Sequence, residues 1–275
     1  GGDRWRAGRI AVVAVAGVLL VSMGGAILAA PVTLPLLWWA VRTRPSRGWR
    51  RYTPVLAPAQ AAPERTPVED PTPCRVGKEE AEAAARWLQA ELGPPPDAAV
   101  VLGSGLAPHL PGRETALVPY GEVPHWLQGQ VTGHPHELSV ASWAGCRTAL
   151  LKGRVHEYEG YDLSEAQLQV RTMAAWGVRK LVLACASGAV DVRLAAGDVV
   201  LATEILDFQH CGEGQPPARL HVCGAALAEA AGLPRSLHAS VPGPQYETPA
   251  ELAVLAGLGA TTVSMSPAAE LRAAR

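Results

Sequence analysis

From Val76 onward, short apolar runs alternate with stretches whose apolar positions recur every three or four residues. "GKEEAEAAARWLQAELG" carries Ala and Leu at helical spacing and closes on Gly93, which predicts a helix. "DAAVVLGSGL" predicts a short buried strand running into a glycine turn, and "CRTALLKG" a second strand. "SEAQLQVRTMAAWG" predicts a helix opened by a capping box from Ser164 to Gln167 and closed by Gly177. "RKLVLACASG" and "GDVVLAT" predict two more strands, "HVCGAALAEAAG" a helix and "SLHASV" a strand. "TPAELAVLAGLG" predicts a helix with Thr248 as N-cap, Pro249 in first position and Glu251 in third. "ATTVSMS" is another strand, and "PAAELRAAR" starts a last helix. Strands alternating with helices predict an α/β domain, a central β-sheet flanked by helices, with ligands beyond the carboxyl ends of the strands.

The first 75 residues follow a different pattern. Residues 10–30 are 21 positions without a charge, long enough for an apolar helix to cross a bilayer, and Trp38 and Trp39 stand where an interfacial belt would. A signal peptide would have a shorter apolar core and a clean small-residue cleavage site. Residues 43–75 hold seven prolines and few large apolar side chains, which predicts an extended linker. The expected organisation is thus a basic flank with a transmembrane segment over 1–42, a Pro-rich linker over 43–75 and a folded domain over 76–275. Five arginines soon after the apolar run, against three before it, place the domain on the cytoplasmic side of a membrane anchor. A soluble cytoplasmic protein is the alternative if the N-terminal segment is a start-site error.

Charge sharpens this division. Residues 1–51 contain eight arginines and one acid, whereas the remainder holds 16 basic and 24 acidic residues. The acidic body lacks a basic stripe to neutralise phosphates, which excludes nucleic acid as its main partner. Five scattered cysteines without a C-x-x-C fit free thiols in a reducing compartment and argue against a zinc site.

Four strand ends carry candidate chemistry. Gly103-Ser104-Gly105 offers a close backbone approach and a hydroxyl, suited to an anion or simply to a tight turn. In "GRVHEYEGY", Arg154 and His156 stand two apart, so on an extended segment they share a face and can grip an oxyanion. A surface salt-bridge cluster of Arg154 with Glu157 and Glu159 is the bland alternative. His134 and His136 in "GHPHE" share a face, but no third ligand has compelling spacing, so no metal is expected. In "GPQYET", Tyr246 offers a flat face and Glu247 an acceptor, as a sugar or heterocycle requires. Stabilising the following helix's dipole is the plainer role for Glu247.

Taken in order, "VVLGSGL", "GH" at 133–134, "GRVHEYEGY", "GAVDVRLAAGDVVL", "GPQYETPAE" and "SMS…E" resemble the trimeric-class purine nucleoside phosphorylases and their methylthioadenosine phosphorylase relatives, from Lys78 to Arg275. The resemblance implies phosphorolysis of purine nucleosides, with inorganic phosphate as co-substrate and neither metal nor organic cofactor. It implies a phosphate site from Ser104, His134, Arg154, His156, the backbone at Ala186, and Ser266. It implies nucleoside contacts from Tyr158, Ala186, Tyr246, Glu247 and Met265, with His156 and Glu247 as catalytic residues. A homotrimer is part of what it implies.

The chain also departs from the family pattern. It stops at Arg275, before the strand that in the family brings a donor to the purine edge, and its 208–236 segment is short. "ACASGAV" stands where "TNAAGG" is usual, Ser264 replaces a glycine, and Ala107 follows "GSGL". Two further readings therefore stand beside the enzyme: a catalytically impaired phosphate- or nucleoside-binding relative, and a membrane-anchored structural or interaction protein.

Overall fold

A computed structural model of the chain describes residues 19–22, 76–106, 113–131, 133–143, 145–211, 216–222, 228–229 and 231–274. Within them the elements run β1 (Leu19–Ser22), α1 (Lys78–Leu92), β2 (Ala98–Leu102), β3 (Arg113–Pro119), β4 (Glu137–Trp143), β5 (Cys146–Lys152), α2 (Leu163–Trp176), β6 (Lys180–Leu183), β7 (Gly188–Ala189), β8 (Leu201–Asp207), β9 (Ala218–His221), β10 (Arg235–Ser240), α3 (Pro249–Gly257), β11 (Thr262–Ser264) and α4 (Ala268–Ala273).

The expected α/β class holds, but the strands form two sheets rather than one. The first has the order β1-β6-β2-β5-β4-β3 and the second β7-β11-β10-β8-β9. β2 lies at the centre of the first, parallel to both β5 and β6. All five of its residues are buried, which suits an apolar "AAVVL" run covered on both faces. In the second, β10 lies parallel to β8 and β11. Both edges of β6 are occupied, by β1 and β2, so β8 does not continue that sheet.

Parallel pairing sets the carboxyl ends of strands side by side. Leu102 pairs with Lys152 and Val101 with Leu183, so the loops after β2, β5 and β6 open on one edge. In the second sheet Ser240 pairs with both Asp207 and Ser264, grouping the loops after β8, β10 and β11. The core between layers draws on Leu88 of α1, Met173 and Leu168 of α2, Leu138, Leu151, Leu181 and Leu183.

Several local expectations are corrected. α2 is capped by Asp162, whose side chain accepts from the Glu165 N–H while Glu165 reaches back, so the capping box sits two residues before the Ser164–Gln167 one. α3 has the expected cap: Thr248 accepts from the Glu251 N–H with Pro249 next. His221, expected to open a helix, ends β9 and pairs with Glu204 of β8. The antiparallel β3–β4 pair had no expectation at all. Of the transmembrane segment over residues 10–30, the structure describes Leu19–Ser22, which form a strand rather than a helix. They pair antiparallel with β6, Leu19 opposite Leu183 and Ser22 opposite Lys180. An apolar extended segment satisfies the backbone groups along that sheet edge, which would otherwise lack partners. The rest of that segment and the 43–75 linker lie outside the described residues. Among the described residues no helix is long and apolar enough to cross a membrane.

Candidate active site

The site is built where the carboxyl ends of the two sheets meet. Gly103 leaves β2 pressed against the turn after β6: a Cβ there would sit 2.9 Å from Cys185 Cα and 3.2 Å from the Ala186 nitrogen. These neighbours are backbone and cannot swing aside. Gly103→Ala is expected to lose about 1–3 kcal/mol of stability by overpacking, read as a lowered urea unfolding midpoint; an unchanged midpoint would show that the turn can yield.

Ser104 follows, with Oγ 3.0 Å from His134 Nε2. His134 is buried, and its Nδ1 lies 3.2 Å from the Arg154 carbonyl oxygen. Burial first, then the charge of Arg154, holds His134 down at a pKa of about 4, so the ring is neutral near pH 7. Gly153, at φ +122°, packs where a Cβ would meet His134 Cβ at 2.8 Å, and its carbonyl accepts from the buried Tyr120 hydroxyl.

Arg154 is the centre of the site and is only 2% exposed. It donates from one terminal nitrogen to Ser266 Oγ at 2.8 Å and from the other to the Ala184 carbonyl at 2.7 Å. Its Nε lies 2.8 Å from Glu270 Oε1, a carboxylate 6% exposed at the start of α4. A surface cluster with Glu157 and Glu159 is therefore not what Arg154 makes. Each terminal nitrogen keeps a second hydrogen to offer. One residue thus ties the end of β5 to the ends of β6 and β11, joining the two sheets.

The chain stays extended through His156 and then turns. Glu157–Glu159 form a 3-10 turn because Glu159 reaches back to the His156 N–H at 2.8 Å and to His156 Nδ1 at 2.9 Å. Burial would raise the Glu159 carboxyl, but hydrogen bonds from His156 and the Gln130 N–H keep it below the usual carboxylate range. Tyr158 lies within this turn, and the rings on either side of the bend stack. The His156 ring stacks on His134 at 5.7 Å and on Tyr158 at 4.7 Å. Burial, then Glu159, pushes the Tyr158 phenol up to about 12; the neighbouring Tyr246 adds to this, so "GPQYET" reaches the same region. Tyr246 itself is 72% exposed, and Glu247 beside it is half-buried at the approach to α3. Met265 lies between Ser264 and Ser266, packed against Gly243.

Ser104, His134, Arg154, His156, Tyr158 and Ser266 are thus linked directly, and the Ala184–Ala186 turn abuts Gly103. His136 stands beside the His134 ring, with centroids 5.8 Å apart. It has φ +56°, meets His134 edge-on, and both its ring nitrogens are buried without a hydrogen-bond partner. Among the described residues no group of three potential metal ligands is assembled.

Sequence reasoning missed two supports. Glu270 balances Arg154 from 116 positions away; the acid in "SMS…E" was its only signal. His238, fully buried on β10, holds the loop that carries Ser266: its Nε2 lies 2.9 Å from the Ser266 carbonyl and its Nδ1 3.0 Å from Thr262 Oγ1. Burial drives its pKa to about 4.

Residues 97–275 match the profile of the Phosphorylase superfamily. The chain is 35% identical over 192 residues to the purine nucleoside phosphorylase of Mycobacterium leprae, covering 65% of this chain and 70% of that protein. Its fold is similar to Schistosoma mansoni purine nucleoside phosphorylase in complex with inosine, at 26% identity and TM-score 0.62, over 72% of this chain and 79% of that one. It is also similar to isoform 2 of that organism's enzyme in complex with cytosine and ribose-1-phosphate, at 27% identity and TM-score 0.60, over 71% and 78%.

Proposed function

Because this chain belongs to the purine nucleoside phosphorylase family, within the phosphorylase superfamily, we propose that it is a pentosyltransferase that cleaves purine nucleosides with inorganic phosphate. The products are the free base and ribose 1-phosphate. The observation that carries this reading is Arg154, buried and held between Ser266 and the Ala184 carbonyl, with Ser104 and His134 beside it.

Phosphate binds in this cradle, with Ser104, Arg154, His156, Ser266 and the Ala186 backbone as donors. Glu270 neutralises Arg154, so the dianion is held by directed N–H and O–H groups more than by net charge. His134, neutral, orients the Ser104 hydroxyl. Tyr158, Met265 and Tyr246 pack on the ribose, and Glu247 takes the polar edge of the purine. In the reaction a phosphate oxygen bonds to C1′ as the bond from C1′ to the purine nitrogen breaks. That bond's electron pair leaves with the base, and the proton that the base gains is balanced by the one the hydrogen phosphate loses as it becomes the phosphate ester. Positive charge that develops on the ribose is stabilised by the phosphate poised against it, a gain from positioning and preorganised electrostatics. No metal or organic cofactor enters this scheme. The free thiols of Cys146, Cys185 and Cys211 support a reducing, cytoplasmic setting. A homotrimer is part of the proposal, to be read by sedimentation.

Inosine and phosphate incubated with the full chain are expected to yield hypoxanthine and ribose 1-phosphate. Phosphate alone is expected to raise the melting temperature, by the linkage between binding and stability. Glu247→Ala should raise the nucleoside KM and leave the phosphate response unchanged. Stabilisation by phosphate without release of base would favour the non-catalytic binding relative; neither effect would sink both.

A further inference from the structure

The segment leaving β8, Asp207 to His210, touches both walls of the proposed nucleoside site. On one side Gln209 donates from Nε2 to the Met265 carbonyl at 3.0 Å, while its Oε1 accepts from Ser240 Oγ at 2.8 Å. On the other, His210 Nε2 lies 2.6 Å from Glu157 Oε1, in the turn between His156 and Tyr158. Asp207 anchors the ring from behind, with its oxygens 3.0 and 2.9 Å from Nδ1. Asp207 is itself fully buried; it accepts from the Gln209 and His210 N–H groups and from Arg272 Nε of α4.

Both ring nitrogens of His210 therefore face carboxylates. An imidazolium donates to both at once, whereas a neutral ring would turn a lone pair toward one of them. Without the positive ring, Glu157 and Asp207 would be two like charges brought together across a gap one imidazole wide. Glu157 is carried by the same turn as Tyr158, so whatever holds Glu157 to β8 sets where Tyr158 stands.

We propose that His210 is a positioning residue for the nucleoside: clasped as an imidazolium between Asp207 and Glu157, it fixes the Tyr158-bearing turn at a set distance from the strand end that carries Met265. This rests on the reading of Tyr158 and Met265 as nucleoside contacts. The charged groups facing the ring are Glu157 on the turn and Asp207 on β8, with Arg272 on α4 behind Asp207. Burial works against the charged ring, but the hydrogen bonds and charges of Asp207 and Glu157 prevail and hold its pKa up at about 9. A pKa raised on folding keeps the folded ring charged through the neutral range; the clasp's contribution to stability is full below about 6.5 and lost as pH rises through about 9.

The test is steady-state phosphorolysis of inosine by the full chain between pH 6 and 10, with His210→Gln and Glu157→Gln beside the parent. In the parent, the nucleoside KM should stay level in the neutral range and climb as pH passes about 9. His210→Gln should raise that KM about tenfold at pH 7, the worth of one charge-assisted contact. It should also flatten the alkaline rise, with kcat and the phosphate KM little changed. Glu157→Gln, at a partly exposed position, should reproduce the effect and serves if His210→Gln fails to fold. Folded variants with the parent's KM, or with the parent's alkaline rise intact, would overturn the proposal alone. A parent chain that neither binds nor cleaves inosine would overturn the nucleoside reading and this inference with it.

Discussion

Arg154→Ala is expected to lose about 3–5 kcal/mol of stability, because it strands the Glu270 carboxylate in the interior without its counter-charge. The same change should abolish any rise in melting temperature with phosphate, and with it turnover. Lost stability alone would not establish a binding role, so the informative companion is the double change Arg154→Met with Glu270→Leu. Replacing a buried ion pair by apolar side chains of similar size is often close to neutral, so this variant should recover most of the urea midpoint. It should still show no phosphate response, whereas the parent at one hundred times its dissociation constant gains about 2.7 kcal/mol. A double variant that phosphate still stabilises would place the anion site away from Arg154.

Acid should unfold the domain earlier than its carboxylates alone would require. His134 and His238 are both buried, and burial holds both near a pKa of about 4 against an ordinary 6.5. The sign follows from which form the native state excludes. The unfolded chain binds these protons first, so each ring contributes stability that is complete above about 6.5. That contribution is lost as pH falls toward 4, on the order of 3 kcal/mol per ring. Urea midpoints measured from pH 7 to 4.5 should fall steeply. His238→Asn should flatten the slope while lowering stability at pH 7, since it breaks contacts to Thr262, Ser264 and the Ser266 carbonyl. A parent midpoint level down to pH 4.5 would mean that these rings take up protons without cost. His210 works in the opposite direction at the alkaline end, which leaves neutral pH as the range where both devices are intact.

The legible parts of this molecule are those whose signal is local. α1 was read from its spacing and its closing Gly93, and α3 with its Thr248 cap, because such a helix end is settled by a side chain three residues from the backbone it satisfies. The apolar runs of β2, β5 and β6 were legible because strands buried on both faces leave a continuous hydrophobic record. β3 was not, since its largely exposed run mixes polar with apolar positions, and β4 was not, since polar Ser139 interrupts its buried Leu138, Val140 and Ala141. The Leu19–Ser22 segment shows the converse: apolar character alone does not tell a bilayer span from a strand along a sheet edge.

The sequence by itself determined which residue types reach the strand ends: Ser104, His134, Arg154, His156, Tyr246 and Glu247 were all named from their neighbours along the chain. It could say little about what neutralises, stacks on or braces them, because those partners come from distant segments. Glu270 beside Arg154, His238 beneath Ser266, and the His210 clasp on Glu157 exist only once β8, β10, β11 and α4 converge beyond the first sheet. Side-chain chemistry is encoded residue by residue, but pairing a buried charge requires closing loops of fifty to more than a hundred residues. That closure is a property of the packed fold.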